Sequence, residues 1–495
     1  MAGSLPLDGS NADYEAIPDP MAPLLDNYLL TPYTLRSIEV HGATQTRRGL
    51  LDHVLNPIIE ESAKGPTTLG ELRARLTQAS NKLSRFDIFQ PDRILVSVVD
   101  QGQPGPQSAI PELDVSISVW EQSRLLLRGG TDFGNAEGSA YTRAIFRNIF
   151  GGAETLAIDA SAGTRTRSAY NATFSTPLNG NPDVRLAVDA LRSSTRKPWA
   201  SHEEHLTGGN FRLGWQTKAG DDHSLAYSGV WRQLTNLAAG ASPAVRDDAG
   251  DSLKSSVTHT FIRDRRDRSG PLRQSGYILR TESELAGWGP LKGDVSFLKS
   301  ELHLNGATPL TLPGVSVGGG FRVGILYPLG FGFSLPGRGI RPSRINDRFL
   351  LGGPTDVRGF QIGGLGPRDG QDAVGGDVFA AGGVNMLLPV PRTGPSSPFR
   401  IQVFANGGRL VAFKNKGKAK EEGVSSTLDS RTVLDGMKSA VGELVSGLPS
   451  LSAGVGLVYA HHIARFELNF SLPLVARSGE EVRKGLQVGV GINFL

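Results

Sequence analysis

The feature that most constrains this chain is a series of segments about ten residues long, from about residue 123 to the end, each alternating apolar and polar side chains. Turns rich in Gly, Asn, Asp and Pro separate them. Period-two alternation belongs to strands, because successive Cβ atoms point to opposite faces. Roughly sixteen segments are found, beginning at 125, 139, 154, 168, 183, 204, 223, 252, 276, 295, 315, 377, 400, 451, 465 and 485. An even number of weakly hydrophobic strands in series is the pattern of a transmembrane β-barrel, which closes on itself and leaves no unpaired edge in lipid. A soluble sandwich also alternates, but so many strands of such low hydrophobicity favour the barrel. In the segment from 465, Phe466, Leu468, Phe470 and Leu472 fall on the lipid face, and Arg465, Glu467, Asn469 and Ser471 on the lumenal face. The segment from 295 sorts likewise, with Leu298, Leu302 and Leu304 opposing Lys299, Glu301 and His303.

Composition removes several function classes. The 495 residues include no cysteine, so no disulfide, thiolate nucleophile or cysteine metal site exists. A net charge of +4 from 52 basic and 48 acidic residues does not favour a nucleic acid partner. Apolar residues, 39% of the chain, never run eighteen together, so no transmembrane helix is encoded. "GVSVG" (314–318) fits a hydrolase elbow in letters, yet Ser316 lies within an alternating strand. "HEEH" (202–205) lacks the helical i, i+4 spacing of a zinc site, and His461 and His462 point to opposite strand faces. "LGGPTDVRG" lacks the Lys-Ser/Thr of a phosphate loop. The expectation is no enzyme, no metal and no cofactor.

A different module precedes the strands. Residues 35–41 read as a strand, and a helical stretch spaces Leu50, Leu51, Val54, Leu55, Ile58 and Ile59 along one side. Thr68 and Glu71 form a capping-box signature before a second helix bearing Leu72, Leu76 and Leu83. Strands "RILVSVV" from Arg93 and "LDVSISVW" from Leu113, the latter with Leu113, Val115, Ile117 and Val119 alternating, complete a β-α-α-β-β unit. Such a unit leaves an edge strand open, either to accept a peptide or as part of a stabilising cap. Residues 1–35 hold no Lys or Arg, so neither a secretory signal nor a basic transit peptide is expected. Residues 1–30 are expected to be disordered, 31–122 to form the small domain and 123–495 the barrel.

Two connections exceed turns. One, at about 328–376, contains "FLLGGPTDVRGF" (349–360), and a loop of that length in a compact fold is usually functional. If it folds back into the barrel, Arg358 stands in the lumen and needs a carboxylate or carbonyl partner. Gln402, Phe404, Asn406 and Gly408 share the lumenal face of the strand from 400 and leave room for it. The other connection, at about 412–450, carries Lys414, Lys416, Lys418 and Lys420, then an amphipathic helix over 427–448 with Leu434, Met437, Val441, Leu444 and Leu448. That helix lies on the membrane, docks a partner or packs over the barrel mouth.

With "VRGF" on a long loop between the eleventh and twelfth strands, one β-α-α-β-β module and an aromatic-aliphatic end, the chain resembles the BamA-type barrel-assembly superfamily. The module resembles that superfamily's polypeptide-transport-associated (POTRA) domain. A single such domain without a leader resembles the mitochondrial branch, the central barrel subunit of the sorting and assembly machinery. The resemblance implies that Arg358, Gly359 and Phe360 form a loop tip anchored to the inner wall. The family's wall motif matches Phe404, Asn406 and Gly408, with Asn406 where the family has an acid. Glu467 or Glu301, both lumenal by alternation, are then the candidates to supply the charge.

A seam follows from the barrel pattern. The first strand, "LLLRGG", with Leu125, Leu126, Leu127 and Arg128, is short, and the last carries Gly485, Gly489 and Gly491, which weaken it. Unpaired backbone costs several kcal/mol in lipid, so an opened seam demands a replacement strand. The family's substrate signal matches this chain's own end at Gln487, Gly489, Ile492 and Phe494. The resemblance implies an outer-membrane insertase that folds β-barrel precursor proteins through a lateral gate between first and last strands, without nucleotide. It also implies accessory subunits on the cytosolic face, a homo-oligomer as one option, and a POTRA domain in the intermembrane space. A passive channel of the same fold is the alternative, and a lipid-modifying barrel enzyme acting through Ser316 a third.

Overall fold

A computed structural model describes residues 29–100, 112–134, 137–267, 272, 274–330, 340–394, 397–413, 430–460 and 465–491. The chain divides into two compact units, Met1–Ser123 with Phe150–Ala153, and Arg124–Ile149 with Glu154–Leu495.

In the first unit, β1 (Pro32–His41) leads to helix α1 (Arg48–Ser62), the two-residue strand β2 (Thr67–Thr68), helix α2 (Leu69–Ser84), β3 (Leu95–Asp100) and β4 (Glu112–Ser118). The sheet order is β2-β1-β4-β3, with β1 parallel to β4 and β3 antiparallel to it. The β-α-α-β-β order therefore gains the short strand β2, which pairs with β1. The Thr68 hydroxyl accepts the Glu71 N–H at 3.3 Å and so starts α2. Leu50, Leu51, Val54, Leu55 and Ile58 of α1 are buried with Leu72, Leu76 and Leu83 of α2 against Leu113, Val115 and Ile117 of β4. Ile59 is 43% exposed, because the stripe turns away from the sheet there.

Sixteen antiparallel strands form one sheet in the second unit. They begin with β5 (Leu125–Gly134), β6 (Glu137–Arg147), β7 (Thr155–Gly163), β8 (Thr166–Leu178), β9 (Asn181–Lys197) and β10 (His202–Gln216). Next come β11 (Asp222–Thr235), the short helix α3 (Pro243–Asp247), β12 (Gly250–Asp264), β13 (Gly276–Ala286), β14 (Phe297–Pro309) and β15 (Ser316–Pro328). A long connection holding the small hairpin β16 (Arg368–Asp369) and β17 (Asp372–Ala373) precedes β18 (Val378–Pro389) and β19 (Phe399–Val411). Helix α4 (Ser430–Ser446) leads to β20 (Ser450–Ala460), β21 (Arg465–Val475) and β22 (Gly485–Gly491). Each strand pairs with its neighbours in sequence order, and the terminal strands β5 and β22 come within contact of one another, which curls the sheet into a barrel.

The faces are what a membrane barrel requires. Phe466, Leu468, Phe470 and Leu472 are 40–49% exposed, whereas Glu467, Asn469 and Ser471 are at most 1% exposed. An apolar outer face and a polar interior match lipid outside. Ser316 heads β15, paired with Leu387 and Pro309, so "GVSVG" does not make a strand-to-helix elbow. The first strand is not short: β5 runs ten residues, because Thr131–Gly134 keep pairing with β6 beyond the double glycine. The long loop folds into the lumen. Its Phe349, Leu351, Val357, Phe360 and Leu365 are buried against the inward-facing Phe297, Leu326, Phe379 and Leu410.

Candidate functional site

The site is built where the loop tip meets four consecutive strands, β19 to β22. Arg358 is 1% exposed, and its Nε and Nη2 donate to Glu467 Oε2 at 3.1 and 3.0 Å. β21 delivers that carboxylate because alternation turns Arg465, Glu467 and Asn469 inward together. Arg465 Nη2 lies 2.7 Å from Glu467 Oε1, and the Asn469 amide donates to Oε2 at 2.7 Å. One carboxylate thus sits between two guanidiniums, and the Phe404 ring stacks under Arg358 with its centroid 4.9 Å away. The Arg358 charge that the loop brings inside is met by the Glu467 carboxylate, which is what burial of an ion demands.

Glycine 359 makes the close approach possible. Its φ of +86° lies in the left-handed region, and a Cβ there would come 2.8 Å from the Ser452 Cβ. Its N–H donates to Gln487 Oε1 at 2.9 Å, and Gln487 Nε2 donates to the Phe360 carbonyl at 3.3 Å. The tip therefore binds the last strand through its backbone. The Ser452 hydroxyl on β20 lies between the Arg358 carbonyl and the side-chain amide of Asn406, 2.6 Å from the latter. Asn406 holds Ser452 rather than Arg358. The Phe360 ring is fully buried, and its backbone bridges to Val482.

The other carboxylate considered, Glu301, belongs to a separate cluster. It lies 2.7 Å from His303 Nε2 and 2.9 Å from Arg322 Nη2, and Arg322 Nη1 reaches Asp356 of the loop at 2.6 Å. Glu301 therefore meets the loop through Arg322 and does not touch Arg358. Gly408 lines the wall where any Cβ would meet Leu351 at 2.7 Å.

Sequence reasoning missed a second attachment at the loop's base. Asp347, 3% exposed, accepts from Arg232 Nη1 and Nη2 at 2.6 and 3.2 Å, and Lys299 Nζ donates to its carbonyl at 2.8 Å. Burial would raise the Asp347 carboxyl, but Arg232 and Lys254 hold it below the usual range. The β11–β12 connection clasps the same region: Ser242 and Ala244 N–H donate to Asp372 and Asp369 at 2.7 and 3.0 Å, and Ile345 N–H to Asp248 at 2.8 Å. Burial pushes the Asp248 carboxyl up despite the Ile345 N–H. The inward parity of Arg232 is readable in sequence, but nothing there joins it to Asp347 across 115 residues.

At the seam, Leu125 and Leu127 of β5 are 52% and 68% exposed on the outer face, with Leu126 and Arg128 on the other. In β22, Gln487 is buried while Leu486 and Val488 face outward. Gly489 pairs with Glu467 across the β21–β22 ladder. Ile492 and Phe494 lie outside the described residues. Among the described residues, every neighbouring pair of barrel strands shares a ladder except β5 and β22.

Comparison with known proteins gives this architecture a lineage. The Omp85 superfamily domain matches residues 148–494. The chain belongs to the Omp85 superfamily. Within it, a SAM50-like protein of Schizosaccharomyces pombe is 37% identical over 470 residues, covering 94% of this chain and 91% of that protein. The sorting and assembly machinery component 50 homolog of Homo sapiens is 33% identical over 434 residues, covering 86% and 84%. This Omp85 chain is thus of the sorting and assembly machinery component 50 type. Its fold matches BamA from Haemophilus ducreyi lacking POTRA domains 1–3, with a TM-score of 0.69 at 15% identity over 93% of this chain and 84% of that one. The anchored loop tip and the barrel strands β7 to β22 all fall within the matched Omp85 residues.

Proposed function

We propose that this protein assembles and inserts β-barrel precursor proteins in the mitochondrial outer membrane, a reading supported by its likeness to sorting and assembly machinery component 50 proteins and by its BamA-like fold. In this reading the precursor enters through a lateral gate between β5 and β22, by the exposed backbone of those strands, and is recognised by a C-terminal strand signal. Residues 31–122 form the POTRA domain in the intermembrane space and residues 123–495 the barrel. Accessory subunits dock on the cytosolic face. No nucleotide enters the cycle, since strand exchange replaces one set of backbone hydrogen bonds with another.

One observation carries the reading: among the described residues, the only neighbouring barrel strands without a shared ladder are the first and the last. The loop tip supports it, since Gln487 joins Gly359 and Phe360 to the last strand and so links the lumenal loop to the seam.

The chain has no native cysteine, so an engineered pair is unambiguous. Leu127→Cys is combined with Val488→Cys or Val490→Cys, and assembly of a porin-type precursor is measured with the bond formed and after reduction. Assembly is expected to stop when the seam is locked and to resume with reductant. Undiminished assembly with a verified cross-link would overturn the gate and favour a passive channel.

A further inference from the structure

Helix α4 carries more apolar surface than the barrel covers. Successive residues turn by about 100° around a helix axis, so Val433, Met437, Ala440 and Leu444 form one stripe. Leu434, Val441 and Val445 form the adjacent stripe. The first stripe packs on Val378, Val411, Tyr327 and Ile340. Val411 shares the odd-numbered face of β19 with Val403, which is 40% exposed on the outer surface. The helix therefore rests on the outer wall, at the end of β19, and not over the barrel mouth. Gly407 and Arg409 of that same outer face are buried there, with Arg409 Nη2 3.7 Å from Glu443. The barrel-facing residues differ from the expected set, because Leu434 and Val441 are rotated away from the wall.

That second stripe is bare. Leu434 is 45% exposed, Val441 39% and Val445 80%, and Leu448 just beyond the helix is 78% exposed. The exposed Lys438 is the one cation among them, while Arg431, Asp435, Ser439 and Ser446 occupy the next arc. Around the helix the order is therefore barrel, apolar, polar. The bare stripe also leads along the chain to the outer apolar face: three residues after Leu448 comes Leu451 at the head of β20, 37% exposed, which pairs with Val475, 38% exposed, beside Leu474 at 59%.

We infer that α4 is an interfacial anchor that lies along the bilayer surface against the barrel wall. Leu434, Val441, Val445 and Leu448 enter the boundary between headgroups and acyl chains, and Lys438 reaches back to lipid phosphate. Lipid is the occupant because the stripe leads to the outer apolar face and lies where the strands end, at the depth where hydrocarbon gives way to headgroups. The anchor is independent of the lateral gate.

The test uses the full-length protein in phosphatidylcholine vesicles, with single variants Val445→Cys, Leu434→Cys and Ser439→Cys bearing an environment-sensitive NBD label. Lipids carrying a nitroxide near the headgroup are expected to quench the labels at 445 and 434 roughly twofold or more over that at 439, with blue-shifted emission. Aqueous iodide is expected to show the reverse order. Labels at both 445 and 434 that iodide quenches as readily as the label at 439, with no nitroxide effect, would overturn the anchor and leave the stripe to a protein partner. The two apolar sites are read together so that one label disturbing its own surroundings does not decide the result.

Discussion

The residue with the greatest consequence is Arg358, because its charge is buried where water cannot solvate it. Glu467→Gln removes the carboxylate that two guanidiniums share and leaves both without it, at a cost of about 3–5 kcal/mol. We expect the variant barrel to lose its compact, heat-resistant band in semi-native electrophoresis at a lower temperature than the parent. An unchanged transition would mean that Phe404 and the surrounding amides suffice. Gly359→Ala places a Cβ against Ser452 and forces a residue with a side chain to hold φ near +86°. The expected loss is about 1–3 kcal/mol, read as a lower transition in the same assay, with Gly370→Ala, whose Cβ meets nothing within 4 Å, as a comparison for the strain alone.

Among the elements, the lumenal loop is held at both its base and its tip, and the two attachments are separable. Asp347→Asn weakens the Arg232 pair and leaves the Arg358–Glu467 pair intact. Limited proteolysis should then cut within residues 340–376 faster than in the parent while the barrel transition stays near its original temperature. A loop equally resistant in the variant would show that the Asp347–Arg232 pair is dispensable for holding it. The pH dependence follows from a carboxyl held below its ordinary range: its contribution is complete above the unfolded value of about 3.9 and is lost only as pH falls through the lower folded value. Loop proteolysis in the parent should accordingly be no faster at pH 5 than at pH 7, and a faster rate at pH 5 would contradict this placement of the charge.

For the whole molecule, the loop fills part of the lumen, and loosening it is expected to change what the barrel conducts. The double variant Asp347→Asn with Glu467→Gln loosens base and tip together. In planar bilayers it should pass more current than either single variant, because the loop is then retained without its two most buried ion pairs, by the apolar contacts of Phe349, Leu351 and Phe360 and by the remaining polar ties such as Arg322–Asp356. Equal conductance in all three would mean that the remaining contacts hold the loop without these two ion pairs. The tie from Gln487 to Gly359 also makes the last strand part of the loop's support, so seam and lumen are mechanically one assembly.

The sequence by itself determined the barrel, its strand count and its two faces, because alternation is local and a half-buried strand must repeat every second residue. It placed Arg358 inside only on the condition that the long loop folds back, because strand parity says nothing of a loop residue. Which carboxylate met that arginine was decided only by the tertiary structure. Glu467 and Glu301 have equal parity, and only strand position around the barrel brings the first to the tip and sends the second to Arg322. The same holds for Asp347, whose partner lies four barrel strands away in sequence order, and for α4, whose apolar arc was legible but whose orientation was not. The outer wall takes half of that arc because Val411 and Val378 form a shallow apolar seat for it, and a helical period does not encode where such a seat lies.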